Sequence, residues 1–195
     1  PVFDDPPQEH QQQYAPQVGD RVVYFPQGHV DSLQLFAEDT APPWLSFPSR
    51  WPLVMCQVVD VQYSFPLAAE HRRCNSVLAS ITLRVVGTPN RQRVTAMGTY
   101  TVEFLEPRQS RQNSSLIQDF TVTVRDCGLP DYLVLAHKFL RAIKLPWHEG
   151  IRVSCEWIDL DENGEITTKV YFGKVHGLIN RSQDWPQSPW EALQV

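Results

Sequence analysis

The sequence lacks the features that would place it in a membrane, secreted or zinc-binding class. No run of about 18 apolar residues occurs, and no basic stretch followed by an apolar one opens the chain, so neither a transmembrane helix nor a secretory signal is indicated. The four cysteines contain no CxxC pair, which argues against a zinc knuckle or a dense disulfide framework. We therefore expect a reducing compartment.

Motifs of catalysis and of metal binding are equally scarce. No GxSxG, HExxH, Walker or GxGxxG pattern occurs. Cys127 lies at a predicted strand end and His137 on a predicted helix, so they make a poor nucleophile and base. The other histidines considered as ligands lack metal-like spacing: His29, His71, His148 and His176. We expect no enzymatic activity, no cofactor and no bound metal, and we interpret His29 as a turn or packing residue.

Charge and composition describe an ordinary globular protein. The 195 residues are 42% hydrophobic and 20% charged, enough for one large domain or two small ones. Because 17 Lys and Arg face 22 Asp and Glu, a basic peptide suits the chain better than nucleic-acid phosphate. Residues 1–16 are polar and rich in Pro and Gln, which predicts a linker. The chain starts at Pro1 without Met, so we expect a segment of a longer protein.

Short runs of β-branched and aromatic residues predict a strand-rich first part. Alternation is clearest over residues 75–86, which have apolar side chains on one face. The other predicted strands cover residues 21–25, 53–63, 100–104 and 120–124. An irregular insertion carrying Trp44 and Trp51 is predicted at 31–52, and a long polar insertion at 87–119.

The period changes from two to helical after Pro130. Apolar residues from Tyr132 to Ile143 predict one amphipathic helix that runs to about Lys144. Residues 151–157 and 169–178 then predict a hairpin with an Asn163-Gly164 turn, and 189–195 begin another strand. The predicted organisation is a first β unit over 17–128, a connecting helix over 129–146 and a second β unit over 147–195.

Two segments, residues 19–25 and 170–175, resemble the opening strands of Tudor barrels. With the YFPQGH stretch at 24–29, Pro43-Trp44, the helix after Pro130 and Ser188-Pro189-Trp190, the order resembles the cryptic Tudor region of the WD-repeat and bromodomain protein family. The resemblance covers roughly residues 17–195, and YFxQGH is its most specific part. It implies a mainly β fold of tandem Tudor-like barrels with one intervening amphipathic helix, the second barrel being truncated at Val195.

The resemblance also implies a function: a nuclear chromatin reader, monomeric, that binds methylated lysine on the histone H3 tail, with lysine 4 expected. A methylated ammonium keeps its charge and loses hydrogen-bond donors, so ring faces bind it, each contributing roughly 0.5–2 kcal/mol. The candidate rings are Tyr24, Trp44, Trp157 and Tyr171, with Trp51 as an alternative wall. For each ring the competing interpretation is a place in the core, which we predict for Phe172.

Two charged stretches suggest further contacts. Residues 159–166, DLDENGEI, match the first half of a calcium loop, but loop position twelve is Val170 and strands replace the flanking helices. The stretch is then a solvated hairpin turn, or its Asp159, Asp161 and Glu162 attract the basic residues of a histone tail. Arg91 and Arg93 are candidate contacts to nucleosomal DNA, with a solvated loop as the alternative.

The rival to a reader is a structural module. Such a module would bury its aromatic residues, pack between the WD repeats and the bromodomains, and bind no modified histone. Titration with methylated and unmethylated peptides separates the two hypotheses.

Overall fold

The computed structural model describes residues 14–35, 42–47, 50–65, 77–94, 100–106, 119–125, 129–160, 166–178, 182–185, 188–190 and 193–194. The fold is mainly β with a curled half-barrel sheet, which confirms the predicted fold class at that level. No helix within the described ranges is long and apolar enough to cross a membrane.

The main sheet contains six strands in the order β4-β3-β2-β1-β6, with β5 pairing with β3. In chain order its strands are β1 (Arg21–Tyr24), β2 (Val54–Ser64), β3 (Leu78–Val94), β4 (Tyr100–Leu105), β5 (Phe120–Arg125) and β6 (Leu133–Leu135). All pairings are antiparallel. Four of the predicted strands correspond closely to β1, β2, β4 and β5.

The interior strand β1, between β2 and β6, is buried on both faces. Val22, Val23 and Tyr24 are each 0% exposed, so the strand has no polar face and no alternation. Its two edges are both occupied, because β2 pairs with one and β6 with the other. Burial and pairing on both edges therefore fix the position from which the chain continues after Tyr24.

Strand β3 runs eight residues beyond the predicted end at Val86, to Val94. It leaves β2 near Gly87, where a side chain would be crowded because an added Cβ would lie 3.1 Å from Met55 Cβ. Pro89 is tolerated since the pairing with β4 shifts between Pro89 and Arg91. The predicted polar insertion at 87–119 thus contains the far half of β3 and all of β4.

The helices differ from the prediction in place and length. Helix α1 (Pro26–Leu35) covers the stretch interpreted as a turn around His29, and Pro26 opens it. Helix α2 (Ala136–Ala142) is shorter than predicted, because residues 133–135 form β6 on the free edge of β1. The predicted amphipathic character holds, since Ala136 and Phe139 are buried.

The second part of the chain forms smaller sheets. The predicted hairpin is confirmed as β7 (Arg152–Leu160) and β8 (Ile166–Lys174), which make a two-stranded antiparallel sheet. A second short pair joins β9 (Gly177–Leu178) to β10 (Leu193–Gln194). Val175, directly after β8, is 0% exposed and hydrogen-bonds with Gly150 and Ile151 through its backbone.

Candidate functional site

A group of aromatic rings surrounds Tyr24 at the end of β1. We call it the aromatic cluster: it consists of Tyr24, His29, Trp44, Phe47, Trp51, Phe120 and Tyr132. These residues come from β1, α1, β5 and the chain around the 3₁₀ turn Pro43–Ser46, and from the residue before β6. The pairing of β5 with β3 and of β6 with β1 brings them together.

The inner layer of the aromatic cluster is closed to solvent. Tyr24 is 0% exposed, and its hydroxyl is 2.9 Å from His29 Nδ1 in a hydrogen bond. The His29 ring stacks on Tyr132, with centroids 4.2 Å apart and planes 9° from parallel. Tyr24 was one of the candidate rings for a methyl-lysine cage, and its burial places it in the core instead.

The outer layer of the aromatic cluster is half-buried. Trp44 meets His29 edge-on, with ring centroids 5.1 Å apart, and Phe47 packs against both Tyr24 and Trp51. Trp44, Phe47 and Trp51 are each neither fully buried nor fully exposed. Pro42 and Pro43 restrict the backbone that presents Trp44. The outer rings are thus partly accessible and rest on a packed base.

Burial fixes the charge beneath these rings. His29 is 3% exposed, and desolvation lowers the pKa of its imidazole to about 4. The ring behind Trp44 is therefore neutral at pH 7 and does not repel a cation. Arg50, the residue before Trp51, is engaged by Asp184, with Nη1 and Oδ1 3.0 Å apart on the surface.

The β7–β8 hairpin presents the second set of candidate residues. Tyr171 lies opposite Cys155 and is 56% exposed. Phe172 lies opposite Ser154 and is 84% exposed, so the prediction that it is a core residue is wrong. Its face of the two-stranded sheet has no covering layer among the described residues that would bury the ring. Val170, on the same face, is also exposed.

Strand pairing gives the positions of the remaining candidates. Position 157 pairs with Lys169, so alternation places positions 157 and 171 on one face of the hairpin. Asp159 pairs with Thr167 in the same hairpin, whereas Asp161 and Glu162 lie outside the described residues. Arg91 and Arg93 occupy alternate positions of β3, opposite Glu103 and Thr101.

Sequence reasoning missed Phe47, Phe120 and Tyr132 as members of the aromatic cluster. A local signal existed for Phe47, because it follows Trp44 by three residues and side chains three apart lie in line in a 3₁₀ turn. The Phe47 N–H donates to the Trp44 carbonyl at 3.2 Å. Phe120 and Tyr132 had no local signal, since their positions depend on the strand order.

The fold places the chain in the class of mainly β proteins with a curled half-barrel sheet. Among the described residues, no group of three or more His, Cys, Asp and Glu side chains could hold a metal ion. No protein-family model matches the chain, and comparison with curated proteins finds no match.

Proposed function

We propose that this chain is a nuclear chromatin reader with tandem Tudor-like barrels, and that it binds methylated lysine, expected at lysine 4, on the histone H3 tail. The observation that carries the proposal is the geometry of Trp44. Its half-buried ring meets the buried, neutral His29 edge-on, and the half-buried Phe47 and Trp51 rings lie in the same aromatic cluster. The function is binding, without a chemical step.

Cation–π attraction supplies the physical basis of the proposal. A methylated ammonium would pack on the accessible ring faces, and each ring would contribute roughly 0.5–2 kcal/mol. The rings need little ordering on binding because packing already holds them. A net charge of −5 favours the approach of a basic histone tail.

The β7–β8 hairpin is the second candidate for the methyl-lysine site. Tyr171 is more exposed than the rings of the aromatic cluster, and position 157 shares its face. The acidic candidates Asp159, Asp161 and Glu162 would then contact basic residues of the tail. Among the described residues no other ring packs against Tyr171, so we favour Trp44.

Nucleosomal DNA is a proposed additional partner. Arg91 and Arg93 lie at alternate positions of β3, which puts both on one face. A phosphate contact from each would strengthen binding without sequence preference. The acidic total makes this contact secondary to the peptide.

Titration with H3 tail peptides that carry zero to three methyl groups on lysine 4 tests the proposal. We expect affinity to rise with methylation. Equal affinity for all four peptides, or no binding, would instead favour a module that packs between neighbouring domains and reads no modification.

Paired substitutions locate the site. Trp44→Ala should weaken binding of the methylated peptide by about 2- to 30-fold, the equivalent of one ring contact. Leu45→Ala is its matched control, because Leu45 is 74% exposed on the same 3₁₀ turn and carries no ring. Tyr171→Ala, with Phe172→Ala as control, tests the hairpin in the same way. Loss of binding with Tyr171→Ala alone would move the proposed site to the hairpin.

A further inference from the structure

Residues 188–190 lie against helix α1, far from it in sequence. Trp190 Nε1 donates a hydrogen bond to Asp31 Oδ2 at 3.1 Å, and the indole packs on Phe25 with ring centroids 5.7 Å apart. Ser188 is 3% exposed, and its N–H donates to the Trp185 carbonyl at 3.0 Å. The hydrogen bond to Asp31, the ring contact with Phe25 and the burial of the neighbouring Ser188 together fix the position of Trp190.

Gly28 makes this close approach possible. A Cβ at position 28 would lie 2.7–2.8 Å from three atoms of the Trp190 ring. Such a distance is shorter than carbon atoms tolerate, so any side chain at position 28 would displace the indole. The position of Trp190 therefore requires glycine at position 28.

The next residue of α1 contacts the aromatic cluster. His29 hydrogen-bonds with the Tyr24 hydroxyl, stacks on Tyr132 and meets the edge of Trp44. Helix α1 therefore contacts both tryptophans, Trp190 at Gly28 and Trp44 at His29. A shift of the helix would move His29 relative to Trp44.

Helix α1 depends on such contacts for its position. It has only ten residues, includes Gly and Pro, and carries no acidic residue in its first turn and no basic residue in its last. A helix of this length and composition is unstable alone in water. Its placement must come from tertiary packing, of which the Trp190 contact is one part and the His29 contacts are another.

The same stretch of chain reaches the outer rings from another side. Asp184 pairs with Arg50, the residue that precedes Trp51. This exposed pair is weak by itself. It nevertheless places Asp184 beside the segment that carries the outer rings, and Trp190 lies beside α1.

We propose that Trp190 is a positioning residue for the methyl-lysine site: it holds α1 in place, and α1 through His29 sets the orientation of Trp44. The ligand class, a methylated lysine, rests on the proposed function. The mechanical link from Trp190 to Trp44 does not, and it can be measured without a peptide.

Two variants break the link at different points. Trp190→Phe keeps a ring but removes the Nε1 hydrogen bond to Asp31, and Gly28→Ala pushes the indole off the helix. The matched control is Trp147→Phe, which removes an indole hydrogen bond of similar length, 2.8 Å to the Ala142 carbonyl, at the end of α2. Each variant is compared at a temperature where its thermal transition shows it to be folded.

Two readouts are taken on each variant. The first is the nuclear magnetic resonance signal of the Trp44 indole N–H without ligand; the second is the dissociation constant for an H3 peptide trimethylated on lysine 4. We expect Trp190→Phe and Gly28→Ala to shift the Trp44 signal and weaken peptide binding by about 3- to 10-fold. Trp147→Phe should change neither.

A double substitution supplies the test of mechanism. In a Trp190→Ala background no indole opposes the new methyl group, so adding Gly28→Ala should cause no further shift of the Trp44 signal and no further loss of affinity. If Gly28→Ala alone does not fold, Trp190→Phe carries the comparison.

The outcomes separate the two proposals. Folded variants with an unchanged Trp44 signal and wild-type affinity would overturn the positioning role and leave a merely stabilising one. A wild-type chain that binds no methylated peptide would overturn the proposed function, while the Trp44 signal would still decide the positioning role.

Discussion

At the scale of single residues, the YFPQGH stretch has a structural explanation. Tyr24 ends β1 within the aromatic cluster, and Phe25, the next residue, packs instead against Phe139 and Trp190. Gly28 admits the Trp190 ring, and His29 hydrogen-bonds with Tyr24 at the base of the aromatic cluster. The packing role predicted for His29 is confirmed, although it acts from a helix and not from a turn. Its burial as a neutral ring has a consequence for acid stability.

We predict that His29 makes the protein less stable as the pH falls from about 6.5 to about 4. The folded-state pKa of His29 is about 4, below the ordinary 6.5, so the unfolded chain takes up the proton first. Stability from this residue is complete above pH 6.5, declines through that window and is lost below it. At 1.36 kcal/mol per pH unit, the loss is on the order of 3 kcal/mol.

Denaturant unfolding at several pH values, for the wild type and His29→Asn, checks this prediction. The variant should be less stable at pH 7, because it loses the ring contacts, and its free energy of unfolding should fall less steeply between pH 6.5 and 4. All other groups are common to both proteins, so the difference between the slopes isolates His29. Identical slopes would show that His29 is accessible to protons in the folded state.

The candidate site was predictable from the sequence only in part. Trp44 stood out because it lies in a proline-bearing stretch that the sequence predicts to be irregular. Tyr24 was indistinguishable from an accessible ring, because its burial depends on rings that reach it from other parts of the chain, such as Phe47, Phe120 and Tyr132. Local patterns do not contain those long-range contacts.

At the scale of elements, the β7–β8 hairpin shows what sequence alternation can and cannot predict. Alternation and the Asn163-Gly164 turn were sufficient to predict the hairpin. They could not say which face is covered, since that depends on packing from elsewhere in the chain. Exposure differs widely within a few residues: Phe172 in β8 is 84% exposed, and Val175, directly after β8, is 0% exposed.

We predict opposite costs for substitutions at these two positions. Phe172→Thr keeps strand propensity and removes an exposed ring, so the free energy of unfolding should change by no more than about 0.5 kcal/mol. Val175→Ala removes two buried methyl groups and should cost roughly 2 kcal/mol. Chemical denaturation measures both. A cost of 2 kcal/mol or more for Phe172→Thr would mean that this face is buried in solution.

The helices illustrate the limit of local pattern at the element scale. The apolar spacing after Tyr132 suits a helix, yet residues 133–135 form β6 because the open edge of β1 gains backbone hydrogen bonds from them. Helix α1 was missed for the opposite reason. Pro26 and Gly28 favour a turn locally, and the contacts of Gly28 with Trp190 and of His29 with Tyr132 override that preference.

At the scale of the whole molecule, charge and ring contacts should act on different quantities. The net charge of −5 attracts a basic tail over a distance that salt shortens, to about 10 Å at 0.1 M and about 3 Å at 1 M ionic strength. The contact of a methylated ammonium with ring faces is short-range and partly desolvated, so salt screens it less. Affinity should therefore depend on salt, and discrimination between methylation states should not.

We predict that raising NaCl from about 50 to about 500 mM weakens binding of unmethylated and trimethylated H3 peptides by similar factors, mainly through slower association. The ratio of the two dissociation constants should stay nearly constant. Trp44→Ala should show the wild-type salt dependence with a smaller ratio, because it removes a ring and leaves the net charge unchanged. If the ratio instead falls in step with rising salt, discrimination arises from surface charge, and the aromatic cluster is not the site that reads methylation.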